Sequence, residues 1–357
     1  MAKPAMTSTE RVHAALEGRI PDRVPFQDAY WATTIRRWQG EGLPATCVPS
    51  EYFGCEITRL GGDYSLQLPI RLLQETQRYR IYVDANGATR KEMATGDDWT
   101  PNWLDFQIKG RADWQRLKDR AAYHPSRIPA GVVEAYRAER ARGRFIAYSV
   151  HACFHPTWHK IGMETLLIWM LEDPGLVDEM FAAHTQLIID LYEGLKALGV
   201  EFDGAWLSDD LGYRNAPLIS PRLYRELVLP HHRRACSHFA RDGLRTILHS
   251  DGNVGPLIPH FLEAGFAALH PLEVKAGLDA RDLKGRWGDR LALFGNIDVR
   301  RLASTPEEAA DEVRLKVEAA KPGGGYLFHS DHSVPSDVPL ANYRAALAAL
   351  EQYGNYD

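Results

Sequence analysis

From about residue 144 the chain alternates between short apolar runs and longer amphipathic segments, a pattern few folds accommodate. The runs span residues 145–150, 202–207, 245–249, 267–272, 291–297 and 326–329. Runs that are apolar at nearly every position suit strands covered on both faces. The segments between them carry helix signals. Asp173-Pro174, Ser220-Pro221 and Thr305-Pro306 each pair an N-cap residue with proline at the first helical position. After Asp173, the positions Leu176, Val177, Met180, Phe181, Leu187, Ile188, Leu191 and Leu195 largely keep the 3.6-residue period. Pro230 is expected to kink the helix opened at Ser220. Strand–helix repetition of this kind means parallel βαβ units. No Gly-rich dinucleotide turn accompanies them, so a closed (β/α)8 (TIM) barrel is expected over an open doubly wound sheet.

The amino-terminal half is less regular. Thr7 and Glu10 have capping-box spacing ahead of Val12, Ala15 and Leu16, which predicts a first helix ending at Gly18. Residues 23–27 read as the first strand. Residues 40–125, rich in Gly, Pro, Trp and Tyr, are read as one or two barrel units carrying a long insertion. Residues 1–357 are taken as a single domain.

Composition narrows the function. Of the 357 residues, 45% are hydrophobic and 25% charged, and the formal net charge of −5 offers no basic footprint for nucleic acid. No apolar run is long enough to span a bilayer. The first residues lack the apolar core of a secretory signal, and the cysteines Cys47, Cys55, Cys153 and Cys236 form no CxxC pair. A cytoplasmic protein is expected.

Polar residues gather where the late strands end. Ser208-Asp209-Asp210, His249-Ser250-Asp251, His270 to Glu273, Gly295-Asn296-Ile297-Asp298 and His329 to Ser333 all follow apolar runs. In a barrel these carboxyl ends share one mouth, where catalysis sits. A lone Asp or Asn after a strand is usually a helix cap, the bland reading for Asn253 and Asp298. His270 reads as a core histidine, and one of Asp209 and Asp210 can be a bracing residue. His249 and Asp251 lie two apart on an extended segment, so their side chains share a side. His249, Asp251, Glu273 and His332 are the candidate ligands of a Zn²⁺ ion. The same residues acting without metal would be hydrogen-bond donors and proton carriers. Asp209, Asp210 and His332 are the candidate catalytic residues. His151, His155 and Trp158, just after a strand, are candidates for one wall of a substrate pocket, with Asn296 as a further contact. Trp99, Trp103 and Trp206 are further aromatic candidates for that wall.

These motifs resemble the uroporphyrinogen decarboxylase superfamily, which includes zinc-dependent, corrinoid-linked methyltransferases. The resemblance rests on TSTERVHAALEGRIPDRVPF, WLSDDLGYRNAPLISPRLYRELVLP, LHSDGNVGPLIPHFLEAGFAALHPLE, FGNIDVRRLAST and GGGYLFHSDHSVP. It implies a barrel enzyme, often dimeric. The decarboxylase branch carries an Arg-rich segment after its first strand and an FSD carboxylate strand. Here the first segment reads QDAYWATTIRRW, with Arg36 and Arg37 but without that motif, and no FSD occurs. His332 lies where that branch has its last-strand histidine. The methyltransferase branch shows His-x-Cys and a later Cys as zinc ligands. His249 matches the His, while Asp251 and His332 fall at the two Cys positions.

The resemblance therefore implies a zinc-dependent methyltransferase component acting on a small methylated substrate, methoxylated aromatics among them. The methyl would pass to a corrinoid held by a separate protein. A cofactor-free decarboxylase is the second expectation, and a non-catalytic ligand-binding barrel the third.

Overall fold

In the computed structural model, which describes residues 5–94 and 101–356, the apolar runs form neighbouring strands of one parallel sheet. In chain order the strands are β1 (Ile57–Leu60), β2 (Arg71–Glu75), β3 (Tyr79–Val83), β4 (Ala88–Met93), β5 (Asn102–Phe106), β6 (Phe145–His151), β7 (Gly204–Ser208), β8 (Arg245–His249), β9 (Phe266–His270), β10 (Ala292–Phe294) and β11 (Tyr326–Leu327). The parallel sheet runs β1-β6-β7-β8-β9-β10-β11, so each strand lies beside the next one along the chain. Only β2 to β5 stand apart, as an antiparallel sheet inserted after β1.

Strand parity divides the core in two. Phe145, Ala147, Trp206, Ile247, Ala268, Ala292, Phe294 and Leu327 pack together inside the curled sheet, joined by Ile57. Ile146, Tyr148, Val150, Leu207, Leu248 and Leu269 alternate with them and pack outward against the helices. This period of two makes each strand apolar on both faces, as the runs require. The helix Ser8–Leu16 closes the amino end of the curl, with Val12, Ala15 and Leu16 joining the inner cluster.

Both edges of the sheet meet one segment around Phe26. The Gln27 amide donates to the Phe328 carbonyl at 3.2 Å and the Phe328 amide to the Pro25 carbonyl at 2.9 Å. On the other side, the Glu56 amide donates to the Phe26 carbonyl at 2.9 Å. Pro25 has no N–H, which limits the ladder this segment can build.

The caps form as the sequence indicates: Thr7 makes a full capping box, and Asp173, Ser220 and Thr305 each accept an amide hydrogen bond at a helix start. Two expectations change in detail. Ahead of Pro230 the chain makes a π-helical turn at Tyr224–Val228, a wider turn that eases the ring against the preceding carbonyls. The strand expected to reach residue 297 stops at Phe294, because Gly295 and Asn296 take φ values of 116° and 73°. Among the described residues no helix is long and apolar enough to cross a membrane.

The insertion bears on the opposite wall. Trp103 on β5 packs on His159 and Trp158, with ring centroids 4.6 and 5.3 Å away. Both belong to the helix Phe154–Ile161, which follows β6.

Candidate active site

The parity that fills the inner core also builds the site. Continuing the same parity toward the carboxyl ends, the inward positions include Arg59 on β1, His151 on β6, Ser208 on β7, His249 on β8, His270 on β9 and His329 just after β11. Pairing puts His151 opposite Ser208, Ser208 opposite His249, and His249 opposite His270, so these residues form one layer. They line a cavity of about 250 Å³ at the carboxyl end of the sheet, with Trp206 among its walls. Asp28, Asp210, Asp251 and His332 also face it.

The histidines of this layer are held neutral. Burial, with His155 adding to it, pushes His151 down to about 3. Burial lowers His249, His270 and His329 as well. His249 and His270 meet Nδ1 to Nδ1 at 2.7 Å, so one of these nitrogens carries the proton and the other accepts it. The buried Nε2 of His270 and Nδ1 of His151 have no partner.

Beside the histidines lies a group of acids centred on Asp251. Asp210, His249 and Asp251 bring ligand atoms within 4.8 Å of one another, and Asp251, Glu273 and His332 do the same. Asp251 belongs to both groups, and its buried Oδ1 has no hydrogen-bond partner. The four residues expected to bind a metal thus converge, but in two overlapping sets, with Asp210 added. Burial and the charges of Asp210 and Glu273 push Asp251 up to about 7. Asp210 goes the other way. Burial opposes its ionisation, but the adjacent imidazoles of His155 and His249 hold it well below the usual carboxylate range. His155 Nδ1 lies 2.9 Å from Asp210 Oδ2.

Three of the expected site residues lie away from this cavity. Asp209 is fully buried and does not line this cavity. Its oxygens accept from the amides of Phe154 and His155 at 3.1 and 2.5 Å and lie 2.8 Å from His232 Nε2, so it braces the helix start beside β7. Asn296 is also buried, its amide saturated by Ala280, Lys316, Leu272 and Leu278. Trp158 packs behind His155 and His159 rather than lining the cavity. His151 does line it, whereas His155 reaches the site through Asp210. Trp99 lies outside the described residues.

Several cavity residues were not among the expected site residues. His270 faces the cavity instead of lying wholly within the core, and Arg59, Asp28 and His329 join it. Asp28 is buried, accepts from Ser330 Oγ at 2.8 Å and Tyr343 Oη at 2.9 Å, and is raised by burial. Counting strand parity onward from the apolar inner positions would have found Arg59, His270 and His329.

With the geometry in view, relatives can be placed. A parallel α/β sheet with ionisable residues at its carboxyl end defines an enzyme-like scaffold. The family model described as uroporphyrinogen decarboxylase (URO-D) matches residues 157–353, and the chain belongs to that family. The match includes Asp210, His249, Asp251, Glu273 and His332, while Asp28, Arg59 and His151 lie before it. Uroporphyrinogen decarboxylases of Pseudoalteromonas atlantica and Pseudoalteromonas translucida are 27% and 30% identical over 143 and 145 residues. Each alignment covers 38% of this chain and 38% of the relative, so little more than a third of those enzymes is matched. A methyltransferase from Methanosarcina mazei superposes with a TM-score of 0.67 over 98% of this chain and 99% of its own, at 17% identity. That likeness is one of fold.

Proposed function

We propose that the chain is a methyltransferase component that takes the methyl group from a small methylated compound, methoxylated aromatics among them, for a corrinoid carried by a separate protein. On this reading residues 1–357 form one domain, and the segment around Phe26 is the eighth stave of a (β/α)8 barrel. Its hydrogen bonds to both sheet edges support that closure.

The observation that carries the proposal is the convergence on Asp251. Three carboxylates crowd together, and a buried oxygen of the central one is unpartnered. A divalent cation would relieve both the repulsion and the missing partner. Neutral imidazole and carboxylate donors suit Zn²⁺, though they are harder than thiolates. His249 and Asp251 with Asp210, or Asp251 with Glu273 and His332, would hold it. Bound there, zinc would supply a Lewis acid that polarises the methyl-bearing heteroatom.

The chain's own residues do the rest. His155 keeps Asp210 ionised. For His249 to offer Nε2 to a ligand, its Nδ1 must donate to His270, an outer-layer hydrogen bond that fixes the tautomer. His332, whose Nδ1 lies 3.2 Å from the Ser333 carbonyl oxygen, keeps Nε2 for a ligand or for a proton to the demethylated heteroatom. A cavity of about 250 Å³ suits a small substrate, lying just below the roughly 300–1,000 Å³ of typical ligand pockets.

Elemental analysis tests the proposal. About one zinc per chain is expected, lost on chelation and in His249→Ala, with methyl transfer from methoxylated aromatics to cob(I)alamin following the metal. Substoichiometric metal after zinc is supplied would remove the ligand assignment.

One observation favours a second reading, cofactor-free decarboxylation. Asp210 and Asp251 are neighbours whose ionisation is pushed apart, an arrangement suited to acid–base work. It predicts chelator-insensitive release of CO₂ from uroporphyrinogen or a smaller acid.

A further inference from the structure

Arg59 stands out because nothing among the described residues answers its charge. Its guanidinium projects from β1 into the cavity, where its carbon lies 5.0 Å from the centre of the Trp206 ring. Among the described residues no carboxylate, carbonyl or hydroxyl makes an ion pair or hydrogen bond with it. Its other near neighbours are the imidazoles of His151, His249, His270 and His329, each of which it pushes further toward the neutral form.

The acids that share the cavity are engaged elsewhere. Asp28 is taken up by Ser330, Tyr343 and the Ala29 amide. Asp210 is held by His155, and Asp251 sits among other acids. Arg59 is exposed to the solvent of the cavity, so its guanidinium is free to exchange water for a ligand that supplies the missing charge. Stacking on the indole occupies one face of the group and leaves its N–H edges for a planar, two-pronged acceptor.

We propose that Arg59 receives a carboxylate of the substrate, so that the enzyme acts on small carboxylic acids. This rests on reading the cavity as the substrate site and adds to the methyltransferase proposal the class of compound it would accept. β1 lies three strands from β8 in the sheet, so the Arg59 anchor and the acid group at Asp251 approach the cavity from different staves. A substrate held by its carboxylate at Arg59 would present its other end to His249, Asp251 and His332. The acids around Asp251 repel an anion, which fixes the orientation.

Benzoate and benzamide, nearly equal in size and different in charge, test this by calorimetric titration of the purified protein. Wild type should bind benzoate at least about tenfold more tightly than benzamide, as expected for charge-assisted hydrogen bonds. Arg59→Gln should bring that ratio close to one while leaving benzamide binding unchanged. Arg59→Lys, which keeps the charge but not the fork, should give an intermediate ratio and serves if Arg59→Gln does not fold. A ratio near one in wild type, a ratio unchanged in Arg59→Gln, or no binding of benzoate or acetate at about 10 mM would each overturn the proposal. Failure of the methyltransferase reading would show separately, in metal content and methyl transfer, and leaves this ratio untouched.

Discussion

Asp209 and Asp210 are adjacent in the chain, yet their oxygens face different surroundings. The first spends its acceptors on two helix amides and approaches His232; the second reaches the cavity and is held ionised by His155. Asp251 is the residue on which pH should act most visibly. Its folded value is raised to about 7, above the ordinary carboxyl value of 3.8, so the folded state holds its proton more tightly than the unfolded chain. The stability this contributes is present below about pH 4 and is lost as pH rises through about 7. After chelation, Asp251→Asn should therefore be more stable than wild type at pH 8, the gap closing toward pH 4. Urea denaturation across that range measures it. About a third of the Asp251 side chain remains accessible (35%), so water screens the charge and narrows the gap. A gap independent of pH would remove Asp251 as its source.

At the scale of elements, legibility followed burial. β6 to β9 sit between an inner core and a helical layer, so their sequences are continuously apolar and their positions showed to within two residues. β2 is exposed at every position and gives no alternation, which is why residues 40–125 could not be read as strands. The acid group was legible because Asp and His in polar strand-end motifs stand out. Arg59 was hidden in a four-residue strand before the regular repeats begin, and His270 looked like core because only its parity turns it to the cavity. Asp209 and Asn296 have the same residue types as site groups, and only three-dimensional hydrogen bonding separates them. The insertion also has a mechanical tie to the site. Gly162 ends the helix Phe154–Ile161 at φ 89°, and an added Cβ would lie 2.8 Å from Phe106 Cε2 on β5. Gly162→Ala should cost about 1–3 kcal/mol of stability, from backbone strain and overpacking together. It should weaken ligand binding through the displaced helix while leaving metal content unchanged. Denaturation, titration and elemental analysis of one preparation would show whether the three separate in this way.

Across the whole molecule, the seam around Phe26 is pinned by buried charge. Glu56 accepts from Arg11 Nη1 at 2.5 Å and from the Phe26 amide at 3.1 Å, and it also pairs with Arg23. These contacts tie the closing helix, the Phe26 segment and β1 at one point. Glu56→Ala strands Arg11 beside Asp22 alone and should cost about 3–5 kcal/mol, the usual effect of breaking a buried ion pair. Its equilibrium denaturation curve checks the size of that loss; a cost under about 1 kcal/mol would show that the seam does not depend on the pair.

The helix Ser8–Leu16 has a consequence for traffic. Among the described residues it covers the amino end of the curl, while the cavity lies at the carboxyl end. If the chain is the methyltransferase component proposed above, a small acid and a bulky methyl acceptor would meet at that end and could not pass each other. On that proposal the acid would have to be seated before the acceptor docks over the mouth, and the demethylated product would have to wait behind the acceptor until it withdraws. Kinetics on such a plan would be strictly ordered, first in and last out, with an excess of acceptor protein acting as a cork.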